Sequence, residues 1–380
     1  MSAPGTRVFV VNSGSSSIKY QLVDVATEEA ILSGLVERIG EPGGDAADHV
    51  DGMRRVLAEL GDAATGLVAV GHRVVHGGEA FTAPTVVTDA VIEQIEQVSM
   101  LAPLHNPANL AGIRAAMAVL PDVPHVAVFD TAFHQTMAPA AYTYAIDREV
   151  AREHGVRRYG FHGTSHAFVA GRAAEHLGVP LEQLKLIVLH LGNGASITAI
   201  DGGRSIDTSM GLTPLQGLVM GTRSGDLDPA VLLHLHRQAG MSVDELDALL
   251  NKRSGLLGLS GSADMRDVTK AADEGDRDAA LALDVWAHRI RHYVGAYLAQ
   301  LGGLDAVVFT AGVGENSPQL RALALAGLEF LGLEVDPEVN AARSRAARTI
   351  SPEGAGVAVL VVPTNEELSI ARQAAALAGA

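Results

Sequence analysis

The chain has 380 residues, of which 48% are hydrophobic, and its formal net charge is −16 at neutral pH. This length favours two domains over one, and so large an apolar fraction can bury a sizeable core. The negative charge and the absence of a dense Lys/Arg cluster exclude nucleic acid as an expected partner. The chain has no cysteine, which excludes disulfides, cysteine-ligated zinc and thiol catalysis.

The start of the sequence and its apolar runs predict where the protein is found. Residues 1–6 are polar and lead directly into an apolar segment, without the basic start and long apolar stretch of an export signal. The longest apolar runs, such as residues 357–362, are far too short to span a bilayer. We therefore expect a cytoplasmic protein without a membrane partner.

Short apolar runs rich in β-branched residues alternate with helical patterns along the chain. The runs predict buried strands at residues 8–11, 67–70, 126–129, 186–189, 306–309 and 357–362. Apolar residues at three- and four-residue spacing predict helices at residues 89–100, 107–119, 165–177, 243–250 and 278–301. Abundant glycine and few aromatic residues suit closely packed strands and helices. The pattern predicts an α/β protein.

The first strand leads into a second strand instead of a helix. A Gly/Ser turn follows residues 8–11, and residues 18–23 then alternate like a strand, which predicts a hairpin. The same plan recurs at residues 186–200, which indicates an internal duplication and two related domains facing a cleft. We place an N-terminal domain at 1–131, with helix 367–380 packing back on it, and a C-terminal domain at 132–366.

The turn of the first hairpin, residues 12–17 (NSGSSS), is suited to binding phosphate. Small residues let backbone N–H groups approach an anion closely, the serine hydroxyls are further donors, and Lys19 adds a positive charge. The spacings of a P-loop and of a dinucleotide-binding fingerprint are both absent. An ordinary β-turn is the alternative for this segment alone. The similar turn at residues 192–196 favours phosphate binding.

These two hairpins, with a third glycine turn expected at residues 312–316, resemble the superfold of actin, sugar kinases and chaperone ATPases. The resemblance implies two duplicated ribonuclease H-like domains with ATP in the cleft between them. A further loop at residues 261–266 contains Asp264, which can accept from ribose hydroxyls, and Arg266, which can stack on adenine. This loop is a weak signal when taken alone.

Two charged residues lie in or beside predicted strands. Arg73 follows an apolar segment, where a permanent charge is costly unless an anion or a core carboxylate compensates it, and both alternatives stay open. Asp130 follows the strand at residues 126–129, and ligand sites gather at the carboxyl ends of strands in α/β sheets. A turn or helix-cap role is the alternative for Asp130.

His162 precedes a predicted helix that Thr164 is expected to cap, so its position suits contact with phosphoryl oxygens. His162 and His166 also have a metal-ligand spacing, but no carboxylate partner follows, which disfavours zinc. In the glycine-flanked loop at residues 221–229, pairing of Arg223 with Asp226 or Asp228 is the ordinary alternative to an anion site.

The last helix is preceded by Thr364, Asn365 and two glutamates. Thr364 and Glu367 have the spacing of a capping box, which predicts a structural role for Glu367. Glu366 has no such role in the pattern, and it is therefore a candidate functional residue.

Taken together, these ordered motifs closely resemble those of the acetokinase family, the acetate kinases. The resemblance runs from residue 7 to residue 372 and includes segments 11–19, 71–78, 129–134, 159–166, 190–194, 221–226 and 310–316. It implies reversible, Mg²⁺-dependent, in-line phosphoryl transfer from ATP to acetate, giving acetyl phosphate and ADP, by a homodimer. A compressed, glycine-rich stretch around residues 40–44 is the main departure from the family pattern.

The resemblance assigns a role to each matched residue. The implied catalytic residues are Arg73, Asp130, His162 and Arg223, and the acetate pocket adds Val75, Leu104, Phe161 and Pro214 to Arg73. The implied nucleotide-binding residues are Ser15, Ser17, Lys19, His190, Leu191, Gly192, Asn193, Gly194, Asp264, Met265, Arg266, Gly312, Val313, Gly314, Glu315 and Asn316. Asn12 and Glu366 are implied to hold Mg²⁺, for which Mn²⁺ can substitute.

Asp130 matches the position described as the family's acid/base. Acetate is already ionised at neutral pH and has no proton to remove, so we expect Asp130 to orient Arg73 or magnesium. One alternative function is a propionate or butyrate kinase of the same family, which differs in the volume of the acyl pocket. A more distant alternative is a nucleotide-gated binding protein of the superfold, which would not need a second anion site.

Overall fold

The computed structural model describes residues 6–103 and 105–379. The described strands are β1 Arg7–Ser13, β2 Ile18–Asp24, β3 Glu29–Val36, β4 Leu67–Val74, β5 Thr85–Val86, β6 His125–Phe129, β7 Lys185–Leu191, β8 Ala195–Asp201, β9 Arg204–Thr208, β10 Ala306–Thr310, β11 Arg348–Thr349 and β12 Ala358–Val361. The described helices are α1 His49–Leu60, α2 Asp89–Val98, α3 Asn106–Val119, α4 Pro139–Tyr142, α5 Arg148–Glu153, α6 Gly163–Leu177, α7 Ala230–Ala239, α8 Val243–Lys252, α9 Gly255–Ser260, α10 Met265–Asp273, α11 Arg277–Leu301, α12 Ala311–Asn316, α13 Pro318–Leu325, α14 Pro337–Ala341 and α15 Glu366–Ala378.

The chain divides into two compact units. Unit 1 comprises the chain up to Gln135, the segment Phe161–Ser165 and the chain from Asn365 onward. Unit 2 comprises Thr136–Gly160 and His166–Thr364. In the described part of the chain, each unit contains one six-stranded sheet. The domain boundaries expected at 131/132 and 366/367 stay a prediction.

The sheet of unit 1 has the strand order β3-β2-β1-β4-β6-β5. Strands β1, β2 and β3 are antiparallel neighbours, β4 runs parallel to β1, and β6 runs parallel to β4. The edge strand β5 is antiparallel to β6. The predicted first hairpin is therefore confirmed, with Asn12 opposite Lys19.

The sheet of unit 2 repeats this topology. Its order is β9-β8-β7-β10-β12-β11, in which β7 and β8 form a hairpin and β10 and β12 run parallel to β7. Its edge strand β11 is antiparallel to β12, as β5 is to β6 in unit 1. Each strand of one sheet thus has a counterpart in the other, and the predicted duplicated α/β fold is confirmed.

Both faces of the unit 1 sheet are covered by helices. One apolar cluster joins Phe9 and Leu22 of the sheet to Met53 of α1 and Ala115 of α3. On another part of the sheet α15 packs against β4, and a Cβ added at Gly71 would lie 2.6 Å from Ile370 Cγ2. Glycine is needed there because a larger residue would push the last helix off the strand.

The core of unit 2 is built around its central strands and the longest described helix, α11. Strands β7 and β10 are almost entirely buried, as the apolar runs predict for interior parallel strands. Helix α11 packs against α9, α10, α13 and β8, and it ends at Gly302 in the left-handed conformation. No helix in residues 6–103 and 105–379 has the length and hydropathy that crossing a membrane requires.

Candidate active site

Arg73 and Asp130 meet at one edge of the unit 1 sheet. Arg73 is the penultimate residue of β4, and Asp130 directly follows the neighbouring parallel strand β6. Arg73 Nε donates to Asp130 Oδ1 at 3.0 Å, and Arg73 Nη2 donates to Asp130 Oδ2 at 2.7 Å. The Asp130 side chain is 2% exposed, and that of Arg73 is 22% exposed. The carboxylate of Asp130 raises the pKa of Arg73, so the guanidinium is a fixed cation with a solvent-facing part.

Glu366 and Glu367 begin the last helix of unit 1, where they lie close to Arg73 and Lys19. Glu366 Oε2 lies 3.8 Å from Arg73 Nε, and Glu367 Oε1 accepts from Lys19 Nζ at 2.5 Å. The predicted capping box is wrong, because Asn365 is the N-cap and its side chain accepts from the backbone N–H of Leu368. Both glutamates are therefore available to cations instead of the helix backbone.

Hydrogen bonds to its backbone carbonyl groups hold the turn of the first hairpin in place. The backbone N–H of Gly14 donates to the carbonyl of Ser17, which closes the turn. The side chain of Asn109 donates to the carbonyl of Ser13, and His49 Nε2 donates to that of Gly14. In all three hydrogen bonds the acceptor is a backbone carbonyl oxygen of the turn. Ser15 is exposed at the outer side of the turn.

His162 is held beside Asp130 by a strained backbone. Its φ is +57°, a left-handed conformation that is uncommon for residues other than glycine. The N–H of Gly163 donates to the carbonyl of Asp130 at 2.8 Å, and a Cβ at Gly163 would lie 2.4 Å from that oxygen. Helix α6 starts at Gly163, so the expected capping role of Thr164 is wrong and Thr164 lies within the first turn.

The predicted acetate-pocket residues are divided between the two units. Val75 and Phe161 belong to unit 1, where the ring of His76 contacts the ring of Phe161 edge-on at 5.4 Å between centroids. Pro214 belongs to unit 2. Leu104 lies outside the described residues.

Arg223 lies in a loop of unit 2 without a carboxylate partner among the described residues. Its Nη1 is 3.4 Å from the carbonyl oxygen of Pro214 and 3.8 Å from the sulfur of Met220. Burial lowers the pKa of Arg223, and no acidic group in the described part of the chain offsets this loss of hydration. A partly desolvated cation of this kind is suited to binding an anionic ligand.

The two acidic neighbours of Arg223 are used elsewhere, so the pairing alternative is wrong. Asp226 accepts from Tyr293 Oη at 2.7 Å and from the backbone N–H of Gly217. Asp228 accepts from the N–H of Ala230 at the start of α7. These bonds fix both ends of the loop and leave its cation uncompensated.

A cavity of about 1000 Å³ lies within unit 2 and has the size of a small-molecule site. Eight of the expected nucleotide-binding residues line it: Gly192, Asn193, Asp264, Met265, Arg266, Gly312, Val313 and Asn316. Gly221, from the loop that contains Arg223, also lines it. His190, Leu191, Gly194, Gly314 and Glu315 belong to the same segments but do not line the cavity.

Close backbone packing joins two of the cavity-lining segments. The N–H of Gly221 donates to the carbonyl of Asn193 at 2.9 Å. A Cβ added at Gly221 would lie 1.8 Å from Asn193 Oδ1 and 3.0 Å from the carbonyl oxygen of Ala263, so a larger residue would displace the Asn193 side chain. The glycine turn after β7 is thereby attached to the loop that contains Arg223.

Asp264 is the N-cap of α10 and also pairs with Arg266. Its side chain accepts from the N–H of Arg266, and Arg266 Nη2 donates to Asp264 Oδ2 at 2.5 Å. These contacts lower the pKa of Asp264 to about 2. The carboxylate thus stays ionised at the cavity wall and accepts from donors at any physiological pH.

Several apolar residues of the cavity were not predicted from the sequence. Met220, Leu256, Trp286 and Leu320 line it, and Trp286 is also buried in α11. Met220 adjoins a motif, so its position offered a signal. Trp286 offered none, because its spacing in α11 is that of any core residue. Lys270 also lines the cavity, one turn after Arg266 on α10.

The expected glycine turn at residues 312–316 is wrong, because this segment is the short helix α12. The chain enters the helix through Ala311, whose φ is +64°. This left-handed residue supplies the sharp change of direction that the sequence analysis assigned to a turn. The first residues of the helix, Gly312 and Val313, line the cavity.

Oxygen donors suited to magnesium lie in unit 1. The described residues contain no group of three or more His, Cys, Asp or Glu side chains that could hold a metal. Magnesium needs fewer protein ligands, because it keeps several waters and binds through one or two carboxylates and substrate phosphates. The amide of Asn12 and the carboxylate of Glu366 are hard oxygen ligands, so these residues fit the ion.

Comparison with known proteins gives the family. The sequence model of the Acetokinase family matches residues 7–372. The acetate kinase of Leifsonia xyli subsp. xyli is 64% identical, over 97% of this chain and 98% of that protein. The crystal structure of Porphyromonas gingivalis acetate kinase superposes with a TM-score of 0.94 at 42% identity, covering 98% of this chain and 99% of that one. A propionate kinase from Francisella tularensis superposes with a TM-score of 0.91 at 41% identity, covering 97% and 98%. The resemblance seen in the motifs is confirmed, and the chain belongs to the acetokinase family.

Proposed function

We propose that this chain is a phosphotransferase that reversibly transfers the γ-phosphoryl group of ATP to acetate, giving ADP and acetyl phosphate. The observation that carries the proposal is Arg223, a partly desolvated guanidinium without a carboxylate partner in the described part of the chain. In a member of the acetokinase family, such a cation is suited to the negative charge of a transferring phosphoryl group.

Arg73 binds the acetate carboxylate in this proposal, and Asp130 orients it. The three hydrogen bonds from Arg73 to Asp130 fix the plane of the guanidinium before the substrate arrives. His162 donates to phosphoryl oxygens from its strained position next to Asp130. Phosphoryl transfer requires positioning and charge stabilisation more than covalent catalysis, which are the roles that we propose for Arg73, His162 and Arg223.

The acyl group is proposed to contact Val75, Leu104, Phe161 and Pro214. The nucleotide is proposed to occupy the cavity of unit 2, where Met265 and Trp286 supply apolar surface for the base. Asn193, Gly221 and Gly312 line this cavity, and we propose that the ligand contacts these segments. Ser15, Ser17 and Lys19 are proposed to bind its phosphates.

Asn12 and Glu366 are the residues that would hold Mg²⁺ or Mn²⁺. When bound, the ion neutralises charge on the nucleotide phosphates. The metal requirement is part of the proposal. Because the reaction consumes ATP, we also propose that the protein works in the cytoplasm. We propose that its domains are residues 1–131 plus 367–380 and residues 132–366.

A kinase assay tests the proposed function. We expect acetate-dependent formation of ADP from ATP, and of ATP from ADP and acetyl phosphate. Arg223→Ala should lower kcat about a hundredfold to a thousandfold, the usual effect of losing one stabilising donor. Arg253→Ala changes an exposed arginine of the same unit and should retain activity.

Short-chain acids separate the alternatives in the same assay. Acetate should have the highest kcat/KM, and propionate should be lower by about tenfold, since one methylene changes binding only modestly. A higher kcat/KM for propionate would identify a propionate kinase, as the Francisella tularensis neighbour is named. No ADP formation with any short-chain acid would overturn the proposal.

The pH profile of Asp130→Asn tests the orienting role of Asp130. Removing the charge leaves Arg73 without its buried partner, so kcat/KM for acetate should fall about a hundredfold. Acetate is ionised throughout, so the loss should be uniform from pH 6 to pH 9. A loss confined to low pH would instead assign proton transfer to Asp130. Asp24→Asn, a buried carboxylate at the far end of the hairpin, is the matched control.

The magnesium requirement of Asn12→Ala tests the proposed metal ligands. The concentration of Mg²⁺ giving half-maximal activity should rise about tenfold, while KM for acetate changes less than twofold. Gln21→Ala, on the neighbouring strand β2, should leave both values unchanged. A rise in KM for acetate without a change in the Mg²⁺ requirement would contradict the assignment.

We further propose that the protein is a homodimer. Helix α7 has no buried residue although it contains Val231 and three leucines, and Leu233 is 55% exposed. Val243 at the start of α8 is 77% exposed. Neighbouring apolar side chains exposed to this degree are typical of a protein interface.

The mass in solution tests the homodimer. Light scattering should give twice the chain mass of 39.4 kDa. Leu233→Glu places a charge on the proposed interface and should shift the mass toward the monomer at micromolar concentration. Leu281→Glu, an exposed residue of α11, shows whether the interface extends beyond α7. A monomeric wild-type protein would exclude the homodimer.

A further inference from the structure

We propose that Glu315 is a positioning residue, whose carboxylate ties the cavity-lining start of α12 to the backbone two residues before Glu366. The inference rests on the proposed function, because it concerns where the nucleotide and the metal are held. The family resemblance implies that Glu315 contacts the nucleotide. The structure assigns its carboxylate to the protein backbone.

One oxygen of Glu315 accepts three hydrogen bonds. Oε1 accepts from the N–H of Ala311 at 2.9 Å, from the N–H of Thr364 at 3.0 Å and from the hydroxyl of Thr310 at 3.4 Å. A carboxylate forms stronger hydrogen bonds with backbone N–H groups than a neutral acceptor does. These contacts join the end of β10, the start of α12 and the segment after β12.

The bond to Ala311 restrains a strained residue. Ala311 has φ +64° and is 7% exposed, so its conformation needs support from its surroundings. Gly312, Val313 and Asn316 follow it and line the cavity of unit 2. The carboxylate thus helps to set the position of the three residues that we propose to contact the nucleotide.

The other end of α12 is held separately, by Arg321. This fully buried side chain donates from Nη1 to the carbonyls of Gly314 and Glu315, at 2.9 and 3.0 Å, and from Nε to Asn340 Oδ1. Its acceptors are neutral, and burial lowers the pKa of Arg321 to about 10. The helix end therefore stays attached to the core when the Glu315 carboxylate is removed, and its start is the part free to shift.

The bond to Thr364 restrains the chain that leads to the proposed metal ligand. The segment after β12 is attached to β10 by the N–H of Val362, which donates to the carbonyl of Phe309. The bond from Thr364 to Glu315 fixes the next part, and Glu366 follows two residues later. Through this bond, a shift at the start of α12 changes the position of the segment before Glu366.

Binding of ADP, measured by calorimetry with Mg²⁺ and with a chelator, tests the inference without catalysis. Glu315→Ala should weaken ADP binding about tenfold in the chelator, because the start of α12 is released, and it should also reduce the gain in affinity from Mg²⁺ about threefold or more. Glu315→Gln keeps an acceptor oxygen and should stay within about threefold of wild type on both measures. Glu329→Ala is the matched control, since Glu329 accepts from the N–H of Gly327 elsewhere in unit 2.

Steady-state kinetics should show the same pattern. Glu315→Ala should raise KM for ATP and the Mg²⁺ requirement together, with KM for acetate within twofold of wild type. A purely structural role would lower Tm and leave the two binding measures unchanged, which would overturn the inference. A weaker ADP affinity with an unchanged increase in affinity on adding Mg²⁺ would overturn it as well. The inference would also fail if a folded Glu315→Gln variant lost as much ADP affinity as Glu315→Ala.

The Glu315→Asp variant and the wild-type chain provide two further comparisons. If Glu315→Ala does not fold, Glu315→Asp, which retains the charge on a shorter side chain, carries the same expectation. A wild-type chain that binds ADP but forms none from ATP and short-chain acids would refute the proposed function, while the binding measurements would still decide the role of Glu315.

Discussion

The parallel alignment of the central strands is the constraint on which the rest of the structure depends. In unit 1, β1, β4 and β6 run in one direction, so Asn12, Arg73 and Asp130 lie at the carboxyl ends of adjacent strands. In unit 2, β7, β10 and β12 do the same for the segments that begin at Gly192 and Ala311. Carboxyl ends of parallel strands are where backbone groups and loops are free to bind ligands. One topology, used twice, therefore supplies both sets of candidate residues.

Arg73 and Arg223 are both partly buried cations, but their charges are treated in opposite ways. Arg73 is neutralised by Asp130, and the pair holds a fixed orientation at the cost of reduced net charge. Arg223 has no carboxylate partner among the described residues and keeps its full charge for a ligand. The acidic residues next to Arg223 in sequence are bound to Tyr293 and to the start of α7. In this loop, proximity along the chain is therefore a poor guide to ion pairing, because Asp226 and Asp228 bind other partners.

The elements that could be predicted are those with a strong local pattern. Buried strands such as β7 and β10 read as continuous apolar runs, and α11 has helical spacing over many turns. Strand β3 was missed because it is an edge strand with mostly exposed residues, and α7 was missed because it has no buried face. Helix α12 is too short for a periodic signal, and its glycines suggested a turn.

The capping errors have a common cause. Thr364 and Glu367 have the spacing of a capping box, but Lys19 and the backbone contact with Glu315 occupy these residues, and Asn365 caps α15 instead. Thr164 was expected to cap α6, but the bond from Gly163 to the carbonyl of Asp130 moves the helix start to Gly163. In both cases a contact with a distant segment outweighs a local preference worth only about 1 kcal/mol.

The order and chemistry of the motifs, from the first hairpin to the last helix, were enough to identify the family, the duplicated α/β fold and the candidate residues, because these are properties of residue type and spacing. Tertiary structure alone decided which charges are paired. It pairs Asp130 with Arg73, gives Arg223 no carboxylate partner among the described residues, and directs the Glu315 carboxylate to backbone N–H groups. Hydrogen bonds and desolvation depend on distances of a few ångströms between segments far apart in the chain, and spacing along the sequence does not contain those distances.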